Sequence, residues 1–166
     1  MPDSHAIRLR PAVPADVPAI LELIRSLAEY ERLAHEMVAT AADLEAALFG
    51  PRPAAEVVLA ECDGQVAGFA LFFVSFSTFL GRPGLYLEDL FVRPDFRGRG
   101  IGRRLMTRLA ALAVERGYGR FEWSVLDWNR PAIDFYRSLG ARPMDGWTVQ
   151  RVDGEALRAL AARAGG

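Results

Sequence analysis

Six residues, Arg97-Gly98-Arg99-Gly100-Ile101-Gly102, constrain the fold more than any other stretch of this chain. They stand between a β-branched and aromatic run ending at Val92 and a stretch in which Leu105, Leu109, Leu112 and Ala113 share one helical face. Alternating glycines let backbone N–H groups converge with no Cβ in the way, forming a nest at the positive end of the following helix. Phosphate oxygens fit such a nest. Arg97, Arg99, Arg103 and Arg104 add local positive charge. The whole chain has a formal net charge of -1, so any anion site is local, and no global excess points to nucleic acid or an anionic membrane.

Two other phosphate loops fit poorly. A nucleoside-triphosphate loop places Lys and Ser or Thr after its last glycine, whereas Arg103 and Arg104 follow Gly102. A dinucleotide fingerprint spaces its glycines Gly-x-Gly-x-x-Gly directly after the strand; here the third glycine comes one residue early and Arg93 to Phe96 intervene.

The rest of the chain reads as alternating strands and helices. Ile7 to Arg10 is a short edge strand, and apolar residues recur at helical spacing from Pro14 to about Leu33. Thr40 to Asp43 resembles a capping box that opens a short helix. Val57 to Cys62 and Gln65 to Val74 pair across Asp63-Gly64, a favoured type I′ hairpin loop. Strands follow at Leu85 to Val92 and Arg120 to Leu126, with a helix between them ended by Gly117. Asn129 caps a helix that stops at Gly140. A strand over Trp147 to Val152 and a helix near Glu155 to Arg163 finish the chain, with a frayed end from Ala159.

With 166 residues, 51% of them hydrophobic, the expectation is a single domain over 1–166. The charge-free run Val66 to Leu80 is shorter than the roughly 20 residues a membrane helix needs, so no membrane partner is expected. The sole cysteine, Cys62, rules out an intrachain disulfide and is expected to be a buried, reduced thiol. His5 and His35 have no partner at ligand spacing, so no metal is expected. The start, Met1 to His5, lacks the basic and apolar segments of a secretion signal, which makes the cytoplasm the default location.

Arg97-x-x-Gly100-x-Gly102, placed after a strand and opening a helix, resembles the pyrophosphate loop of the GNAT N-acetyltransferases. Tyr86 to Val92 before it, Trp128 to Tyr136 after it, and Leu27 to Glu31 near the start are similar to the diamine (spermidine/spermine-type) subgroup. The resemblance implies the GNAT fold: α/β, with a mixed, mostly antiparallel sheet whose central strands splay, flanked by helices. It implies acetyl-CoA as cosubstrate, contacted by Leu90, Phe91, Val92, Arg97, Gly98, Arg99, Gly100, Ile101, Gly102, Arg103, Asn129 and Pro131. It further implies Tyr136 as general acid, an amine site at Tyr30, Glu31 and Glu88, a homodimer, and a diamine, polyamine or thialysine-like acceptor.

The residues themselves support part of that chemistry. Glu88 and Asp89 put carboxylates on both faces of an apolar strand. Either the strand is a solvated edge, or a β-bulge distorts it and the acids meet a ligand or water. A bulge would free a backbone N–H near Leu90 for a thioester oxyanion. Glu88 would then take the amine's proton, directly or through water. Asn129 and Tyr136, seven residues apart on a helix, fall within about 20° of one face. Two rival readings remain at this stage: a non-catalytic acyl-CoA sensor, and a nucleotide-binding module using the same loop.

Overall fold

The computed structural model describes residues 6–165, so Met1 to His5, on which the leader and His5 readings rest, lie outside the described residues. The chain forms two compact units, residues 1–126 and 127–166.

The first unit is built on one sheet whose strands neighbour each other in chain order: β1 (Ile7–Pro11), β2 (Glu56–Cys62), β3 (Gln65–Ser77), β4 (Arg82–Val92) and β5 (Phe121–Trp123). The first four are antiparallel and β5 runs parallel to β4. At the β2–β3 turn Asp63 and Gly64 adopt φ of 51° and 80°, the left-handed pair that a type I′ loop requires. The parallel β4–β5 step needs a crossover, supplied by α3 (Ile101–Glu115). Gly117, at φ 73°, stops that helix while Tyr118 N–H donates back to Ala113 O at 2.8 Å.

Two further helices precede β2. The one expected from Pro14 becomes a 3-10 turn at Pro14–Asp16 followed by α1 (Val17–Tyr30). The Asp16 carboxylate accepts the Val13 N–H and both terminal nitrogens of Arg10 from β1, which fixes the tight turn against the sheet. α2 (Ala41–Phe49) starts with the expected capping box, Asp43 N–H donating to Thr40 Oγ1 and Thr40 N–H to the Asp43 carboxylate. Val57, Leu59, Phe69 and Phe91 form one core cluster with Ile20, Leu23 and Leu27 of α1 and Leu44 and Leu48 of α2. The alternate residues Val58, Ala60, Ala70, Phe72 and Leu87 are buried on the opposite face, where the buried stripe Ile101, Leu105, Met106 and Leu109 of α3 packs. The sheet is thus sandwiched between helices, as expected.

The second unit holds α4 (Arg130–Ser138) and α5 (Gly154–Ala161). Two expectations are corrected here. No strand forms over 147–152: alternation alone makes no strand without a neighbour to saturate its main chain, and Trp147 and Val149 stand 81% and 80% exposed. Residues 159–165 are not frayed, since α5 runs on to Ala161 and a 3-10 turn follows to Gly165. In the first unit β5 is also shorter than expected, and the reason lies in the site.

Candidate functional site

β4 leaves its two neighbours at different points. It pairs with β5 only from Leu85 to Leu87, yet stays with β3 as far as Val92 opposite Gly68. Where β5 stops, the β3 register steps: Leu87 faces Phe72, Asp89 faces Leu71, and Glu88 has no opposite residue. That extra residue is a β-bulge, the distorted alternative among the two readings of this strand. It bends β4 away from β5, ends the parallel ladder and opens the splay.

Main-chain direction follows from the register. Arg93 N–H donates to Ala67 O at 2.8 Å. Because antiparallel pairing alternates with period two, Asp89 and Phe91 address β3, whereas Leu90 and Val92 turn their N–H and C=O groups toward the side that β5 has left. Arg97 Nε donates to Val92 O on that side at 3.0 Å.

The bulge also gathers carboxylates. Asp89 lies opposite Leu71, which packs against the α1–α2 core cluster, so its side chain is on the α1 face of the sheet. There it is half-buried, while Glu88 is exposed. Burial, then repulsion from Glu88 and from Glu31 at the end of α1, pushes the Asp89 carboxyl up to about 7. Glu31 is raised as well, first by burial and then by Glu88. Among the described residues no arginine or histidine pairs with any of the three. Glu31 and Glu88 were expected at the amine site, and Asp89 as an acid meeting a ligand or water; the structure brings all three together.

The glycine loop has the form its sequence requires. Gly98 and Gly100 both have φ of 77°, and beyond each glycine and its chain neighbours no atom of the described residues lies within 4 Å of where a Cβ would stand. Gly100 is also the N-cap of α3, and no side chain caps that helix. Main-chain donors between left-handed glycines at a helix start fit a diphosphate by donor type and by space. Ile101 is buried, so it can offer a ligand only its main chain.

The loop's first two arginines turn back onto the protein. Besides its Val92 bond, Arg97 lies 5.2 Å from the centre of the Tyr30 ring and 5.5 Å from that of Phe91. Arg99 donates to Cys62 Sγ and to Asp95 O, each at 3.4 Å, and lies 5.4 Å from the Phe96 ring. Cys62 is buried as expected, but its approach to the loop was not foreseen, the two residues standing far apart in sequence. Arg103 remains exposed beyond the nest.

Within the second unit Asn129 is buried and its side chain accepts the Ala132 N–H at 3.4 Å, capping α4, with Pro131 in the first turn. Tyr136 lies two turns further along, half-buried, its ring 5.5 Å from that of Phe135. Gly140, at φ 94°, ends the helix.

Three comparisons bear on this arrangement. Residues 18–141 match the model of the acetyltransferase (GNAT) family. The chain is similar to a thialysine N-epsilon-acetyltransferase of Sus scrofa, 38% identical over 95% of this chain and 99% of the relative. It is also similar to an L-ornithine N5-acetyltransferase of Arabidopsis thaliana, 36% identical over 96% and 90% of the two chains. Among solved structures, an integron cassette protein from the mobile metagenome of V. cholerae superposes with a TM-score of 0.78 at 27% identity, covering 93% of this chain and 97% of the other.

Proposed function

The chain belongs to the acetyltransferase (GNAT) family as an N-acetyltransferase of small-molecule amines with acetyl-CoA as cosubstrate, and from that premise we propose a diamine, polyamine or thialysine-like amino acid as acceptor, attacking the thioester directly. The observation that carries this reading is the unpaired carboxylate group Glu31, Glu88 and Asp89 beside the splay. Such a group attracts an acceptor with more than one positive charge and favours its bound over its free state. The relatives named for thialysine and ornithine point to the same class.

On this reading acetyl-CoA supplies a thioester carbonyl, and the chain positions and discharges what reacts around it. The Gly98 to Gly102 amides hold the pyrophosphate, with Leu90, Phe91 and Val92 along the pantetheine arm and Asn129 and Pro131 as later contacts. The Leu90 N–H, turned into the splay by the register, polarises the thioester carbonyl and stabilises the oxyanion. An alkylammonium has a pKa near 10 and must lose a proton before its nitrogen can attack. Asp89, its pKa pushed up to about 7, is matched to that role, and Glu88 and Glu31 hold the cationic remainder with Tyr30 beside them. The nitrogen forms the C–N bond, the C–S bond breaks, and the departing thiolate takes the proton of the Tyr136 phenol. Cys62 is buried against Arg99, which disfavours an acetyl-cysteine route.

The same reading treats residues 1–166 as one catalytic domain, located in the cytoplasm and assembled as a homodimer. The apolar residues Phe76 and Phe79 around the β3–β4 turn, the latter 97% exposed, offer a surface for the second copy, and light scattering of the purified protein tests it. The functional test is an amine panel followed by thiol release. Dibasic amines should exceed neutral monoamines of equal length by about tenfold or more in kcat/KM. Equal turnover of monoamines, or of peptide N-termini alone, would defeat the assignment. Tyr136→Phe should lower kcat by about 100-fold with little change in CoA affinity, and unchanged turnover would remove Tyr136 as the acid.

A further inference from the structure

We propose that Tyr30 is a positioning residue for acetyl-CoA: its ring holds the Arg97 guanidinium and so fixes the start of the glycine loop. This rests on the reading of that loop as the pyrophosphate site, and it moves the main effect of Tyr30 from the amine to the cosubstrate.

Arg97 ties together three elements that the reaction needs. Its backbone begins the loop, its Nε bonds Val92 O at the end of β4, and its guanidinium lies 5.2 Å from the ring of Tyr30, the last residue of α1. Phe91, at 5.5 Å, supplies a second ring from inside the core. No carboxylate pairs with Arg97 among the described residues. A planar cation is therefore held by one carbonyl and two aromatic rings, and a guanidinium can bond the carbonyl through Nε while its carbon lies over the rings.

The chain just after Arg97 explains why this anchor matters. Gly98 and Gly100 have broad backbone freedom, with nothing of the chain packed against the position of a Cβ. Without a fixed Arg97 the loop samples many shapes, and the fraction competent to bind phosphate falls. Apparent affinity falls by the same factor. The hold on Arg97 is made by the Tyr30 ring and does not require its hydroxyl. An amine contact through the hydroxyl would behave in the opposite way.

The experiment compares the wild type with Tyr30→Phe and Tyr30→Ala, measuring KM for acetyl-CoA, KM for the best amine of the panel, and the Kd of CoA by calorimetry. Tyr30→Ala should raise both cosubstrate constants by about three- to thirtyfold and the amine KM by less than about twofold. Tyr30→Phe should stay near wild type in all three. A rise confined to the amine KM, or a phenylalanine variant as impaired for CoA as the alanine one, overturns the proposal. If Tyr30→Ala fails to fold, Arg97→Lys decides: it keeps the charge but loses the guanidinium and its Nε donor, and an unchanged Kd for CoA refutes the anchor. Gly100→Val tests the underlying reading separately. If it leaves CoA affinity intact, the loop is misassigned; if it abolishes binding while Tyr30→Ala does nothing, only the role of Tyr30 fails.

Discussion

The bulge on β4 and the loop that follows it handle charge in opposite ways. At the bulge, Glu88, Asp89 and Glu31 crowd together with no cationic side chain among the described residues to pair them, and burial with mutual repulsion raises the protonation of Asp89 and Glu31. In the loop the cations are engaged: Arg97 by Val92 O and two rings, Arg99 by Cys62 Sγ, Asp95 O and Phe96. The first region keeps its charge available and accepts the energetic cost. The second uses charged side chains as braces and leaves the ligand to main-chain donors. Side-chain charge thus selects a small cation at one end, while backbone shape selects a diphosphate at the other.

The largest test of this contrast is Asp89→Asn. If Asp89 takes the amine proton, kcat/KM should fall by about 100- to 10,000-fold, against a smaller fall for Glu88→Gln. The reverse ranking would return the base to Glu88. In the wild type the rate should also drop about tenfold per pH unit below 7, where Asp89 is protonated, and this limb should vanish in Asp89→Asn.

Next in size is Gly100→Val. The left-handed φ of 77° costs a β-branched residue about 1–3 kcal/mol of strain, and the side chain enters the space where phosphate would lie. CoA affinity measured by calorimetry should fall by about ten- to a hundredfold, with the acidic region's amine preference unchanged.

A smaller effect concerns stability. Asp89 binds its proton more tightly folded, up to about 7 against an ordinary 3.8, so the native state holds more protons than the unfolded chain between those values. Stability must therefore fall as pH rises through that window. The melting temperature of the wild type should drop between pH 5 and pH 8 relative to Asp89→Asn. Parallel melting curves for the two proteins would mean that the carboxylate is well solvated. Smallest is Cys62→Ala, which removes one acceptor from Arg99 but leaves Asp95 O and Phe96. KM for acetyl-CoA should rise by about twofold with kcat unchanged, and a tenfold loss would make the thiol far more than a brace.

Much of this was legible in the chain. The type I′ loop at Asp63-Gly64, the capping box at Thr40 and the helix stops at Gly117 and Gly140 follow from local chemistry, and each is present. The bulge was readable as one of two options, because adjacent acids in an apolar strand demand an unusual backbone. What sequence did not reveal is long-range. Nothing in a count of residues says that Cys62 meets Arg99, or that Tyr30 meets Arg97, since both depend on how β2 and α1 end relative to the loop. The alternating residues 147–152 misled for the converse reason: alternation describes one strand, and a ladder needs two.

The burial of Cys62 has a practical consequence. It is the sole sulfhydryl of the protein and has 0% exposure, so a chromogenic disulfide reagent added to the native enzyme meets only the coenzyme set free by turnover. Once the fold opens, the same reagent titrates one equivalent per chain. A single dye therefore reports catalysis while the protein is intact and denaturation when it is not.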